Sequence, residues 1–245
     1  MEPAVYRLMA QTQRTHWWFA ARRDILSAII AQLRLPGHAR ILEIGCGTGG
    51  NLPMLATFGA VCAVEGDEFA LACAREAAGS SEVQVLKGWL PDRIPFQDER
   101  FDLVCLFDVL EHVQDDLAAL HAVAERIKPG GRAVLTVPAY QWLYGAHDRS
   151  HHHFRRYTAG SLRRVASRAG LRIRRLGYFN TLLFPLIAGV RLGKRLLGLN
   201  ESDEADMPAA WLNRCLYSAF ALEAAVVPRV LFPFGTSCVA VLERE

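Results

Sequence analysis

The sequence predicts an α/β fold, a mainly parallel sheet flanked by helices, on three observations. Short apolar runs bounded by turn residues alternate with stretches of helical apolar spacing, the pattern of βαβ units. A glycine-rich turn, Gly45–Gly50, separates the first apolar run from the helix after it. Of the 245 residues, 51% are hydrophobic, enough for the core of such a domain and too many for a disordered chain.

The elements follow in order. Residues 1–36 read as a helical cover, because Ile25, Leu26, Ile29, Ile30 and Leu33 form a stripe at helical spacing and Pro36-Gly37 stops it. Arg40–Ile44 is a short apolar strand, Asn51–Phe58 a helix, Val61–Glu65 a strand, Phe69–Ala78 a helix and Val83–Lys87 a strand. Phe101–Phe107 reads as a buried strand, Leu117–Ile127 as a helix, Pro129-Gly130-Gly131 as a turn and Arg132–Pro138 as a strand. Thr158 caps a helix that runs to Ala169 and ends at Gly170. Leu171–Arg175 and Ser237–Leu242 complete a seven-stranded sheet. Between them, residues 181–234 read as inserted helices around the acidic linker Glu201–Asp206. The predicted division is a cover (1–36), a nucleotide-binding core (37–180), an apolar insertion (181–234) and a final core strand (235–245).

The formal charge of +3 does not call for nucleic acid as a partner. The six cysteines form no CxxC pair and have no zinc-ligand spacing, so they read as reduced and structural. Met1-Glu2-Pro3-Ala4 does not open a secretory signal, and no uncharged apolar run approaches the ~18–20 residues of a membrane span. The expectation is a cytoplasmic protein.

Glu43-Ile44-Gly45-Cys46-Gly47-Thr48-Gly49-Gly50 carries the strongest signal. Glycines at a strand-to-helix turn let a ligand approach backbone, and the helix start offers N–H groups. Glu65, about twenty residues on, can accept both hydroxyls of a ribose. These features suit a dinucleotide and a sulfonium nucleoside alike. Three others separate the two. Glu43 would repel a pyrophosphate and welcome an ammonium. The run Phe101–His112 and the tetrapeptide Lys128-Pro129-Gly130-Gly131 follow in order.

Glu43–Gly49, Glu65, Phe101–His112 and Lys128–Gly131 together resemble the successive motifs of class I S-adenosylmethionine (SAM)-dependent methyltransferases, whose fold is Rossmann-like. The likeness is greatest to the small-molecule group that includes ubiquinone-pathway enzymes, and it covers about residues 37–180. The resemblance implies SAM as methyl donor and S-adenosylhomocysteine as product. It implies that Gly45, Gly47 and Gly49 pass under the cofactor, that Glu65 holds its ribose and that Asp108 lies beside the methionine moiety. Cys46, Gly66, Leu90 and Val109 belong to the same expected lining. Where many relatives carry an acidic residue for the adenine amino group, this chain has Gly88-Trp89-Leu90, which leaves Trp89 to stack on adenine.

Transfer to an oxygen requires a group that takes the proton, and histidine is the usual base near neutral pH. The candidates lie in His147-Asp148-Arg149-Ser150-His151-His152-His153, after the fifth strand. His151 and His153 can share a face while His152 points elsewhere. The run from His153 to Thr158, His-x-Arg-Arg-Tyr-Thr, resembles a stretch at the acceptor mouth of related small-molecule enzymes. His153 is the first candidate base, followed by His112 and His151, with Asp148 beside them. Adjacent histidines are poor ligand spacing, so no metal is expected. In His16–Arg23, aromatics beside arginines resemble the N-terminal cover of a bacterial subgroup, which implies that Arg22 or Arg23 reaches the SAM carboxylate.

Eight arginines fall between residues 155 and 175, a pattern that suits a solvated face, an anionic acceptor, an anionic membrane surface or, least, RNA. Thr181–Val190 is too apolar for an ordinary surface helix and too short to span a membrane. A lid over an apolar acceptor is its first reading, then a homodimer contact, then a dip into a membrane interface. The expected activity is O-methylation of a small molecule with a histidine base. N- or S-methylation, NAD-dependent oxidoreduction and a non-catalytic SAM-binding partner stand behind it.

Overall fold

The computed structural model describes residues 3–79, 83–196 and 207–244. The acidic linker Glu201–Asp206 lies outside them. Seven strands form one sheet: β1 (Arg40–Ile44), β2 (Ala60–Glu65), β3 (Val83–Lys87), β4 (Phe101–Phe107), β5 (Ile127–Pro138), β6 (Leu171–Phe179) and β7 (Ser237–Arg244). Their order is β3-β2-β1-β4-β5-β7-β6. Neighbours from β3 to β5 are parallel, and β7 runs antiparallel between β5 and β6. This is the mainly parallel seven-stranded sheet that the alternation predicts.

Successive strand residues face opposite sides, and both sides are covered, as a parallel sheet requires. On one side Leu42, Val104, Leu106 and Leu135 pack with Leu120 and Val123 of α5 (Asp116–Arg126) and with Leu162 and Ala166 of α7 (Ala159–Arg168). On the other, Ile41, Leu103, Cys105 and Val134 pack with Ile25, Leu26, Ile29 and Ile30 of α2 (Trp17–Ala31). α1 (Pro3–Thr12), α3 (Leu52–Ala56) and α4 (Glu68–Ala78) complete the layers, and α6 (Ala146–Ser150) follows β5. Cys46, Cys62, Cys105 and Cys238 are buried thiols that fill core space.

The chain winds one way through β1, β2 and β3 and the other way through β4 and β5. The loops leaving the C-terminal ends of β1 and β4 therefore diverge, and a crevice opens between them.

Two boundaries differ from expectation. β5 begins at Ile127 and takes in Lys128–Gly131, where a turn is predicted. Phe101 pairs with Ile127 but Leu103 pairs with Arg132, so the strand bulges there. Glycine permits this, because a Cβ at Gly131 would stand 2.9 Å from the Phe101 carbonyl oxygen. β6 continues to Phe179, because β7 supplies an antiparallel partner along its whole length.

The insertion forms α8 (Phe184–Leu196), α9 (Ala210–Ala221) and α10 (Glu223–Val226). α9 lies on α2: Tyr217 donates to Asp24 at 2.7 Å, and the Trp17 backbone N–H donates to Asn213 Oδ1 at 2.8 Å. Five of the eight arginines have partners within the chain, whereas Arg163, Arg164 and Arg168 are exposed on α7. Arg155 pairs with Asp116, Arg156 with Asp148, Arg172 and Arg174 with Glu243, and Arg175 donates to the Val227 and Pro228 carbonyls.

Buried Glu223 ties the insertion to the sheet. Its carboxylate accepts the backbone N–H groups of Asn180 (2.6 Å), Thr181 (2.7 Å) and Leu182 (2.9 Å), just past the end of β6. Glu223→Ala leaves three N–H groups without their acceptor and is expected to cost about 3 kcal/mol of stability. Urea unfolding measures this, and a midpoint equal to the parent's would assign the carboxylate no anchoring role.

Candidate active site

A cavity of about 680 Å³ occupies the crevice, within the ~300–1,000 Å³ range of small-molecule sites. One part is built by the turn after β1, the end of β2 and the loop after β3. Gly45, Gly47 and Gly49 all adopt positive φ. Gly45, Cys46 and Gly47 line the cavity, whereas Gly49 does not. A Cβ on Gly49 would meet the Ala74 backbone at 2.9 Å, so this glycine lets α4 close onto the turn. Burial holds the Cys46 thiol well above its ordinary range, so Cys46 is an inert lining group.

Glu65 organises this end. Its Oε2 accepts the Gly47 N–H at 2.7 Å, and its Oε1 accepts those of Gly66 (2.8 Å) and Asp67 (2.9 Å). The carboxylate keeps free lone pairs toward the cavity, which it lines with Gly66, Trp89 and Leu90. Trp89 is partly exposed and carries the Arg93 guanidinium over its ring at 4.8 Å. These positive-φ turns, backbone donors and an aromatic wall fit an adenosine. Glu43 departs from expectation: it lies beneath the turn, fully buried, and does not line the cavity. Asn51 donates to its Oε1 at 2.9 Å, and its Oε2 finds no partner among the described residues.

Asp108 follows β4 at φ 58°, a left-handed conformation that aspartate tolerates better than most residues. Its carboxylate pairs with Arg22 at 2.7 Å and accepts the Thr136 hydroxyl at 3.0 Å, while Arg22 also donates to Thr136 Oγ1 at 2.8 Å. Arg22 is buried on the cavity wall, with Trp18 and Phe107 against its guanidinium. Arg23 instead donates to the carbonyls of Gln13 and Arg14. Val109 lines the cavity beside Asp108. A vicinal cation and anion at this point suit an amino-acid tail.

Four further lining residues are imidazoles, from the short 3-10 turn after β4 and the segment around α6. His112, His147, His151 and His153 line the cavity, while His152 is exposed and at φ 57°. Asp148 lies behind them, fully buried. It bonds His153 Nδ1 and Arg156 Nε, each at 2.8 Å, and the Gly145 N–H at 2.8 Å. Burial alone would raise its pKa; the bonds from His153 and Arg156 outweigh this and hold it well below the usual carboxylate range. An ionised Asp148 only accepts, so His153 Nδ1 carries the proton and a neutral ring turns a bare Nε2 elsewhere. His112 meets His153 edge to face at 4.5 Å, and burial, then the His153 charge, push its pKa down to about 3. Glu111, next to His112, is fully buried and lines the cavity, and neither of its carboxylate oxygens finds a partner among the described residues. Burial first, and then Asp108, hold its pKa well above the ordinary value.

Sequence reasoning missed Glu111, Thr136 and Arg156 as site residues. Glu111 stood inside the quoted run before His112, and Arg156 inside the His-x-Arg-Arg run; Thr136 carries no local signal. Gln13 was also missed: it accepts the Thr48 hydroxyl at 2.8 Å and pins the N-terminal segment to the glycine turn.

A family model described as a methyltransferase domain matches residues 16–176. Over 100 residues, 40% of this chain and 40% of the relative, the sequence is 38% identical to the ubiquinone biosynthesis O-methyltransferase of Alkalilimnicola ehrlichii. The matched segments thus span less than half of the length of such relatives. Among solved structures, a TehB-like SAM-dependent methyltransferase from Corynebacterium glutamicum superposes with TM-score 0.59 at 20% identity, covering 100% of both chains. The YcgJ protein of Bacillus subtilis does so with TM-score 0.61 at 17% identity, over 91% of this chain and 99% of that one. These structures share the fold.

Two buried groups set opposing pH dependences. Burial raises the Glu43 pKa from 4.5 to about 7, so folding keeps its proton longer and stability falls as pH rises from 4.5 to 7. His112 falls from 6.5 to about 3, so its contribution is present above 6.5 and is lost as pH falls toward 3. Glu43→Gln removes the first dependence alone. Its stability relative to the parent should grow from pH 4 to pH 8, by at most about 3 kcal/mol. Denaturation at both pH values measures the difference, and equal offsets would show that Glu43 is not the group responsible.

Proposed function

The chain belongs to the class I SAM-dependent methyltransferases, and from that premise we propose that it moves a methyl group to an oxygen of a small, largely apolar acceptor. The observation that carries this reading is the Asp148–His153 pair, which faces the same cavity as Glu65 and Asp108.

The bound cofactor supplies an electrophilic methyl on a sulfonium, leaving S-adenosylhomocysteine. Glu65 takes the ribose hydroxyls, Trp89 stacks on the adenine, and Arg22 takes the carboxylate of the amino-acid tail, with Asp108 toward its ammonium. Arg22 and Asp108 already neutralise each other, so a zwitterion replaces one ion pair by two at small electrostatic cost. His153 removes the acceptor proton through Nε2, and Asp148 fixes its tautomer and steadies the imidazolium. His112 stays neutral and closes the wall beside it.

The acceptor's apolar part lies along Leu183 and the α8 residues Leu186, Ile187 and Val190, which line the cavity and act as its lid. Ubiquinone biosynthesis O-methyltransferases, by their name, methylate an oxygen of a biosynthetic intermediate, and this supports O-methylation here. Among the described residues, no helix is long and apolar enough to cross a membrane.

Calorimetry with SAM, S-adenosylhomocysteine and NAD tests the cofactor. Binding of the first two is expected, weakened in Glu65→Ala by about 1–3 kcal/mol for loss of a charged acceptor. Binding of NAD alone would overturn the reading. With hydroxylated aromatic and prenylated acceptors, His153→Ala should lower kcat by about 10²–10⁴-fold at unchanged SAM affinity. Parent-like turnover in that variant would remove His153 from the chemistry.

A further inference from the structure

We propose that Glu111, His112 and His153 form a binding site for one divalent cation of borderline character, zinc or cobalt in kind. One donor atom from each of the three lies within 4.8 Å of the other two. In a tetrahedral site with bonds of ~2.0–2.2 Å, donors stand about 3.3–3.5 Å apart, so small side-chain movements close the set. Two imidazoles and one carboxylate are the donor types that a catalytic zinc site uses, with a further position left open. Here that position faces the cavity, which all three residues line.

Independent features of the structure point to the same occupant. Glu111 is fully buried and both of its oxygens lack a partner among the described residues. A carboxyl group in that situation loses hydration without compensation, and a cation supplies the compensation. His153 is held from behind by Asp148, itself fixed by Arg156 and the Gly145 N–H, which aims Nε2 away from the carboxylate. Carboxylate–imidazole pairs of this kind orient metal-bound histidines. The two donor segments are also tied together, because the Phe154 N–H donates to the Glu111 carbonyl at 2.8 Å.

The expectation from sequence was a metal-independent histidine loop. Its basis was the poor ligand spacing of adjacent histidines, and only one of the three enters this set. The other two donors come from the short 3-10 turn Leu110–His112 after β4.

The consequence for catalysis rests on the reading above, that the acceptor oxygen reaches His153 Nε2; the binding itself does not. With a cation on that nitrogen, an acceptor hydroxyl in the open position becomes more acidic and its proton leaves to cavity water. His153 then serves as a ligand, and it acts as the base itself when no cation is bound.

Zinc and cobalt are titrated into the full, chelator-treated chain, with calorimetry for zinc and visible absorption for cobalt. One equivalent is expected to bind at micromolar concentration or below, with the intense cobalt bands of a four- or five-coordinate site. Glu111→Gln and His153→Ala should each abolish the bands, and Asp148→Asn should weaken binding by about 10–100-fold. His121→Ala, an exposed histidine elsewhere, should leave it unchanged. Thermal melts identify any variant that fails to fold, and the other ligand variant then decides. No stoichiometric binding, or binding that survives Glu111→Gln and His153→Ala, overturns the site. SAM binding and methylation measured on the same samples separate the two ideas. Methylation without metal binding defeats this inference alone, and metal binding without any methylated oxygen defeats only the functional reading.

Discussion

Glu65 ends β2 with its carboxylate turned back onto the chain, where the N–H groups of Gly47, Gly66 and Asp67 converge on it. These donors come from two loops, and the N–H groups of Gly45 and Cys46 add bonds to the Val64 carbonyl beside them. With those bonds, one anion sets the spacing between the turn after β1 and the loop after β2. The turn needs its positive φ angles because the backbone must curl to present the Gly47 N–H. Once that geometry is set, α4 closes on Gly49, Gln13 reaches Thr48 from the N-terminal segment, and the crevice has a floor. The same carboxylate that shapes the empty turn retains lone pairs for a diol, so architecture and recognition share one group.

The rest of the site is a problem of buried charge. Arg22, Glu111 and Arg156 are buried on the cavity and Asp148 is buried behind it, and burying each alone would be costly. Arg22 with Asp108, and Arg156 with Asp148, are pairs whose hydrogen bonds are short and whose third partner is a hydroxyl or an imidazole. They rigidify two walls at fixed separation. Glu43 and Glu111 have no such cation against them, and burial raises both. The contrast between paired and unpaired carboxylates divides the site into groups that hold its shape and groups that are available to something else.

Much of this was legible in the sequence. Short apolar runs between turn residues located all seven strands, and the glycine turn and Glu65 declare themselves by spacing. His153 was separable from His152 by alternation along an extended segment. What sequence could not supply was contact between distant segments. Nothing local says that Arg22 would meet Asp108, or that Asp148 would take both His153 and Arg156. Glu43 was expected to face a ligand because its neighbours do, and strand alternation turned it below the turn instead. Glu111 carries no local signal of its own in that run; only full burial without a partner among the described residues marks it out. The bulge at Phe101 and Leu103 was hidden because Lys128-Pro129-Gly130-Gly131 has turn chemistry whether or not it pairs.

The cover and the insertion, far apart in sequence, are one structural unit. α9 lies along α2 through Trp17 against Phe220, Tyr217 to Asp24 and Asn213 to the Trp17 N–H. α2 carries Arg22 to the cavity, and α8, joined to the sheet through Glu223, lines it as well. α2, α9, α10 and the start of α8 are thus linked in one continuous set of contacts. Leu186 and Val190 on α8 line the cavity yet stand 57% and 48% exposed, so they form its rim. An apolar acceptor that covers this rim would press the same helices together and hold Arg22 in place. On the proposed reading, cofactor and acceptor would thus each meet one of two segments that pack on each other.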